Sequence, residues 1–155
     1  KQLYSNPDNY FVAGFLGAPR MNFFEAKIVD TTRDGAVVEI PAIGQLTIPL
    51  NGEAQPAAGM TVTIGVRPEA LRLAEGETGL PARVHLVEYL GRETIVYADA
   101  SPLRCTGSET GTGNMTVHLP YVAEIDAESA IRLSFDPSDA YLFGGEGQRT
   151  WSREK

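Results

Sequence analysis

A chain of 155 residues with an apolar fraction of 43% is long enough for one or two small domains around a buried core. Its formal net charge of −7, with no Lys/Arg cluster, argues against nonspecific binding to nucleic acid or anionic lipid, both of which require positive surface. The single cysteine, Cys105, excludes an internal disulfide and a cysteine-built metal site, and no apolar run approaches the ~18 residues of a membrane span.

Taken in order, residues 6–17 read as a short helix. Asn6 is its N-cap, Pro7 fits the first turn, and Gly17 is the stop. Phe11, Val12, Phe15 and Leu16 form one apolar stripe that must dock onto something, since so short a helix does not stand alone. After a loop at 18–22, Phe24, Ala26 and Ile28 begin a strand, Asp34-Gly35 signals a hairpin, and Ala36, Val38 and Ile40 form the partner. Leu46, Ile48 and Leu50 make a third strand, turned by Asn51-Gly52. Val62, Ile64 and Val66 then alternate with polar residues and glycine, and Pro68 halts the ladder because it lacks an N–H. Arg67 and Glu69 stand at that bend, and Leu71 and Leu73 resume the strand.

The second half opens after Gly76–Gly79. Ala82, Val84, Leu86 and Leu90 predict a long strand, Gly91-Arg92 a tight turn, and residues 95–100 the return strand. A short strand is expected over 103–106, a loop over 107–114, and another strand at Met115, Val117 and Leu119. A second prolyl corner closes the pattern at Asp136-Pro137. Beyond Phe143 the composition turns to Gly, Glu, Gln, Arg and Lys, which reads as a disordered tail over 145–155.

The two corners superpose without a gap: Ile64-Gly65-Val66-Arg67-Pro68 lies over Leu133-Ser134-Phe135-Asp136-Pro137. A weaker echo places Ala26-Lys27-Ile28-Val29 over Ala82-Arg83-Val84-His85. Internal repetition of this kind organises a fold. Many short strands with turn signals between them predict a mainly β protein of OB-fold-like barrels, built from a duplicated strand–corner–strand unit, with one short N-terminal helix. The halves are expected to be two modules or to exchange strands.

Four stretches carry a family resemblance. They are Leu3-Tyr4-Ser5-Asn6-Pro7 with Phe11 to Pro19 and Met21-Asn22-Phe23; Gly65-Val66-Arg67-Pro68-Glu69-Ala70-Leu71; Val87-Glu88-Tyr89-Leu90-Gly91-Arg92-Glu93-Thr94; and Tyr141-Leu142-Phe143. In order and character they resemble the C-terminal regulatory region of sugar-importer ABC ATPase subunits, of the maltose and glycerol-3-phosphate type. Residues 101–126 depart from the pattern. The resemblance implies a transport-associated OB domain over 21–144, preceded by a linker helix at 1–20 that follows an ATPase domain. With its start at Lys1, the chain then reads as a piece of a longer protein.

The resemblance also implies partners: the protein's own ATPase domain, a second copy of the subunit, membrane-spanning permease subunits, and a regulatory protein or small ligand. The location implied is cytoplasmic, peripheral on the inner face of the cell membrane. The chain has no G-x-x-x-x-G-K-[ST] loop to cradle ATP phosphates, so no cofactor is expected here and ATP and Mg belong to the ATPase domain. It is therefore expected not to be an enzyme on its own. Small-ligand sensing of a sugar or oxyanion is the alternative, and a nucleic-acid-binding barrel is disfavoured by the charge.

The contact residues expected are Arg67, Glu69, Gly91 and Glu93. Arg can fork onto a carboxylate or phosphate, or can pair with Glu to fix the corner. No residue is assigned to catalysis or metal binding. Asp136 and Asp139 flank a corner and read as turn chemistry. Ser101 and Ser138 have no local His partner. His85 and His118 read as solvated strand residues, and Gly107, Gly111 and Gly113 as a hairpin loop without the Lys of a phosphate site. Phe11, Phe15, Phe23 and Phe24 read as core around a docked helix.

Overall fold

The computed structural model describes residues 20–50, 56–108 and 111–144, with the backbone of 150–151. The helix expected at 6–17 and the Asn51-Gly52 turn lie outside the described residues. In the first half, β1 (Asn22–Thr32), β2 (Gly35–Ile40), β3 (Gly44–Ile48) and β4 (Thr61–Val66) lead through a 3-10 turn (Pro68–Ala70) to β5 (Arg72–Leu73). The second half repeats the order: β6 (Leu80–Leu90), β7 (Glu93–Asp99), β8 (Met115–Leu119), β9 (Ala130–Ser134), a 3-10 turn (Pro137–Asp139) and β10 (Tyr141–Phe143). Within the expected tail, Thr150–Trp151 pair as β11 with β10.

These strands form two sheets, β11-β10-β4-β1-β2-β3 and β5-β9-β6-β7-β8. Each half thus contributes four strands to its own sheet and sends its fifth, across the prolyl corner, to the other. β4 pairs with β10 and β5 with β9, all antiparallel. The expected duplication is met in detail. Phe24 faces Ile64 as Leu80 faces Leu133. One extra residue bulges out of β1 at Val29 and out of β6 at His85, the two positions that the sequence echo aligns. Ile28 exchanges backbone hydrogen bonds with Gly59 and Met60, and Val84 does the same with Glu128 and Ser129.

The fold is mainly β and OB-like, with a single apolar cluster drawing on both sheets: Phe24, Ile28, Val38, Ile48, Ile64, Val84, Val96, Met115, Val117, Leu133 and Leu142 are among its members. A second cluster, Met21, Phe23, Tyr141 and Phe143, is separate from it. Successive strand residues point to opposite faces, so Phe23 and Phe24, or Leu142 and Phe143, belong to different clusters. Gly65 lies against the second cluster. A Cβ there would sit 2.6 Å from Met21 Sδ and 2.9 Å from the Phe143 ring.

Four local expectations need correction. The residues turning the first hairpin are Arg33-Asp34, and Gly35 already pairs with Thr32. What demands glycine at 35 is the Ile48 carbonyl, 2.1 Å from where a Cβ would stand, together with a φ of 139°. The third strand ends at Ile48, short of Leu50. The strand expected at 103–106 is a single bridge, Thr106 to Phe23. Leu86 and Leu90 are exposed, at 45% and 56%, because the bulge at His85 reverses which residues of β6 face the core.

Candidate functional site

The four residues singled out in the sequence fall into two pairs, one at the first corner and one on the β6–β7 hairpin, and both elements neighbour β8, one of the two edge strands of its sheet. The first corner packs against β8. There Arg67 is extended, with φ −68° and ψ 147°, as the residue before a proline must be. Arg67 is only 7% exposed, and its guanidinium carbon lies 5.6 Å from the centre of the Tyr141 ring, within cation–π range. Tyr141 stacks on Phe143 at 6.3 Å, and Phe143 meets the edge of Phe23 at 5.9 Å. Arg67 therefore ties the corner to the second apolar cluster. Glu69, in the 3-10 turn, is exposed.

The second pair sits on the β6–β7 hairpin. Gly91 takes φ 66° at the first position of the two-residue turn, with open space around it. Glu93, half-exposed, reaches across to β8, where His118 Nε2 lies 3.1 Å from its Oε2. His118 therefore contacts Glu93 across the strands, a proximity that has no local signature in the sequence.

Thr94, beside Glu93, was not singled out, yet it is fully buried and organises this end of the molecule. Its hydroxyl donates to the Tyr121 carbonyl at 2.7 Å and accepts from Ala123 N at 2.9 Å. Tyr89 OH donates to the Ala123 carbonyl at 2.9 Å. The segment after β8 is thus held in place while Tyr89, Leu90, Tyr121 and Val122 stay exposed. The surface around the hairpin thus presents these exposed apolar side chains together with the Glu93 carboxylate.

The remaining candidates have local roles. Asp136 Oδ1 accepts from Ser138 N at 2.9 Å and from its hydroxyl at 2.8 Å, and these bonds hold its carboxyl below the ordinary value. Asp99 is lowered in the same way by the hydroxyl and N–H of Ser101. Both are Asx-type turns. In the glycine loop, Ser108 Oγ accepts from Gly113 N at 2.9 Å, and Arg104 donates to the Thr112 carbonyl. His85 is exposed on its bulge. Cys105 is buried, and desolvation pushes its thiol up to about 12. Among the described residues there is no group of three or more His, Cys, Asp or Glu able to hold a metal ion, and no helix long and apolar enough to cross a membrane.

Two family patterns cover this architecture. The MalK OB fold domain matches residues 17–71 and the TOBE domain matches residues 64–143, so the two overlap on β4 and the first corner. The chain belongs to the TOBE domain family, and its relatives include sugar-importer ATP-binding proteins. It is 43% identical over 102 residues, 64% of its length, to the lactose transport ATP-binding protein LacK of Rhizobium radiobacter. It is 30% identical over 148 residues, 95% of its length, to the maltose/maltodextrin import ATP-binding protein MalK of Vibrio vulnificus, and 29% identical over 147 residues to that of Photorhabdus laumondii. The chain spans only 28% of the first of these relatives and 38% of the second.

Proposed function

We propose that this chain is the non-catalytic regulatory and dimer-supporting part of the ATP-binding subunit of an ABC importer for sugars or related solutes. The observation that carries the reading is the match to MalK over 95% of the chain, through both halves of the fold. The role is mechanical. The domain gives two ATPase subunits a lasting contact, and a partner or ligand that prefers the resting arrangement shifts the cycle by its differential affinity. Glu69, Gly91 and Glu93 are the exposed contact residues, and Arg67 fixes the corner that presents Glu69. ATP and Mg would be handled by an ATPase domain, which docks to permease subunits at the inner face of the membrane. The fragment itself would use no cofactor.

A chimaera tests the reading. The chain replaces the corresponding region of Vibrio vulnificus MalK, and subunit association, ATP hydrolysis and maltose uptake are measured. Retained dimers with retained uptake are the expected result, and Glu93→Lys should change the response to regulation while basal hydrolysis stays unchanged. ATP hydrolysis by the isolated chain, or a chimaera whose subunits separate although both parts are folded, would overturn it.

A further inference from the structure

The two halves treat one pair of equivalent positions differently. In the second half, the long β7–β8 connection returns to β1: Thr106 N donates to the Phe23 carbonyl at 2.9 Å, and Leu103 and Cys105 are buried. They join the main cluster with Phe24, Ile64, Val66 and Met115, all of them buried. In the first half the β2–β3 connection is only residues 41–43, and among the described residues no segment matches Leu103–Thr106. By the strand registers, the equivalents of Phe24, Ile64, Val66 and Met115 are Leu80, Leu133, Phe135 and Leu46. With Ile43 and Leu71 these line an open cleft of about 250 Å³, where Leu46 and Phe135 are part-exposed. The carbonyl equivalent to that of Phe23 belongs to Gly79, and a side chain, Arg132 Nη1, occupies it at 3.2 Å.

We propose that this cleft is a docking slot for an extended segment of a partner polypeptide whose aliphatic anchor enters as the Leu103 side chain does in the other half, without the backbone bond that Thr106 makes there, because Arg132 holds the Gly79 carbonyl. Among the described residues no charged side chain lines the cleft, which disfavours an oxyanion or a sugar phosphate. Its volume falls below the roughly 300–1,000 Å³ typical of small-molecule pockets and suits side chains. A second copy of the chain is a poorer occupant. Among the described residues outside strands, the adjacent exposed apolar pair is Tyr121-Val122, and Thr94 binds that segment back. The inference is independent of the importer reading.

The test is a methyl NMR titration of the full chain with a blocked peptide copying residues 102–107, its Cys105→Ala. Saturable shifts confined to the methyls of Ile43, Leu46, Leu80 and Leu133 are expected. Leu103→Asp in the peptide should weaken binding by at least about tenfold. Leu46→Phe in the chain should fill the cleft and abolish the shifts while native methyl dispersion persists, and Ile43→Trp at the turn serves as a second blocking variant. Absence of saturable shifts at millimolar peptide, shifts located elsewhere, or shifts that survive both blocking variants would overturn the proposal. So would concentration-dependent self-association in sedimentation that Leu46→Phe abolishes, which would make the occupant a second copy.

Discussion

The side-chain amide of Asn22 pairs with the backbone of Thr116 as a neighbouring strand would. Asn22 Oδ1 accepts from Thr116 N at 2.8 Å, and its Nδ2 donates to the Thr116 carbonyl at 2.9 Å and to the Val66 carbonyl at 3.2 Å. One side chain thereby seals part of the edge of β8 and joins the two sheets. Asn22→Ala should cost about 2–3 kcal/mol, because it leaves buried backbone groups without partners. Asn22→Asp should cost more, since it sets an acceptor against two carbonyls. Urea unfolding measures both, and an Asn22→Ala midpoint equal to wild type would show that the clamp contributes nothing.

Glu128 has φ 69° where its equivalent in the first half, Gly59, has φ 87°. A side chain in this region costs roughly 1–2 kcal/mol. Glycine also gains freedom in the unfolded chain, which offsets part of that. Glu128→Gly should therefore stabilise the protein by about 0.5–1 kcal/mol and raise the melting temperature. The bond from Arg83 to Glu128 involves the carbonyl and survives the change.

Three glycines should rank by what surrounds them. Gly35→Ala meets the Ile48 carbonyl and should be the most disruptive, costing about 3 kcal/mol or more, since a backbone group must move. Gly65→Ala meets the movable Met21 side chain and the Phe143 ring, and should cost about 1–3 kcal/mol. Gly91→Ala has open space and suffers only its positive φ, about 1 kcal/mol. Thermal unfolding of the three variants checks the order.

Burial raises the Cys105 thiol from 9.0 to about 12. At pH 8 a thiol reagent should therefore label the native chain only as fast as it opens, and label it promptly in denaturant. The sign of the stability effect follows from the same shift. A folded value above the unfolded one gives stability that is complete below pH 9 and is lost as pH rises towards 12. Cys105→Ala should remove that alkaline loss, as denaturant midpoints between pH 8 and 11 would show.

The corners were legible in the sequence because proline acts locally: Pro68 and Pro137 each fix φ and withhold a donor, whatever the rest of the chain does. The alternation of Val62, Ile64 and Val66 likewise carried its own evidence. At Leu86 and Leu90 the apolar pattern ran on, but the bulge at His85 had already turned them outward, and a bulge leaves no mark on composition. The Asn22–Thr116 clamp spans 94 residues and the Thr94–Ala123 bond spans 29. Polar residues with partners that remote read only as polar residues. The same holds for Glu93, whose exposure could be guessed but whose contact with His118 could not.

The exchange of β5 and β10 makes the repeats a latch. Each half completes its neighbour's sheet, so neither has a full set of strands without the other. A backbone nick in the connection at 74–79 would cut the chain without freeing either piece, and the two fragments should travel together until both melt. A protein fastened in this way hands a pull at one end straight to the other, with no slack joint between its repeats to absorb it.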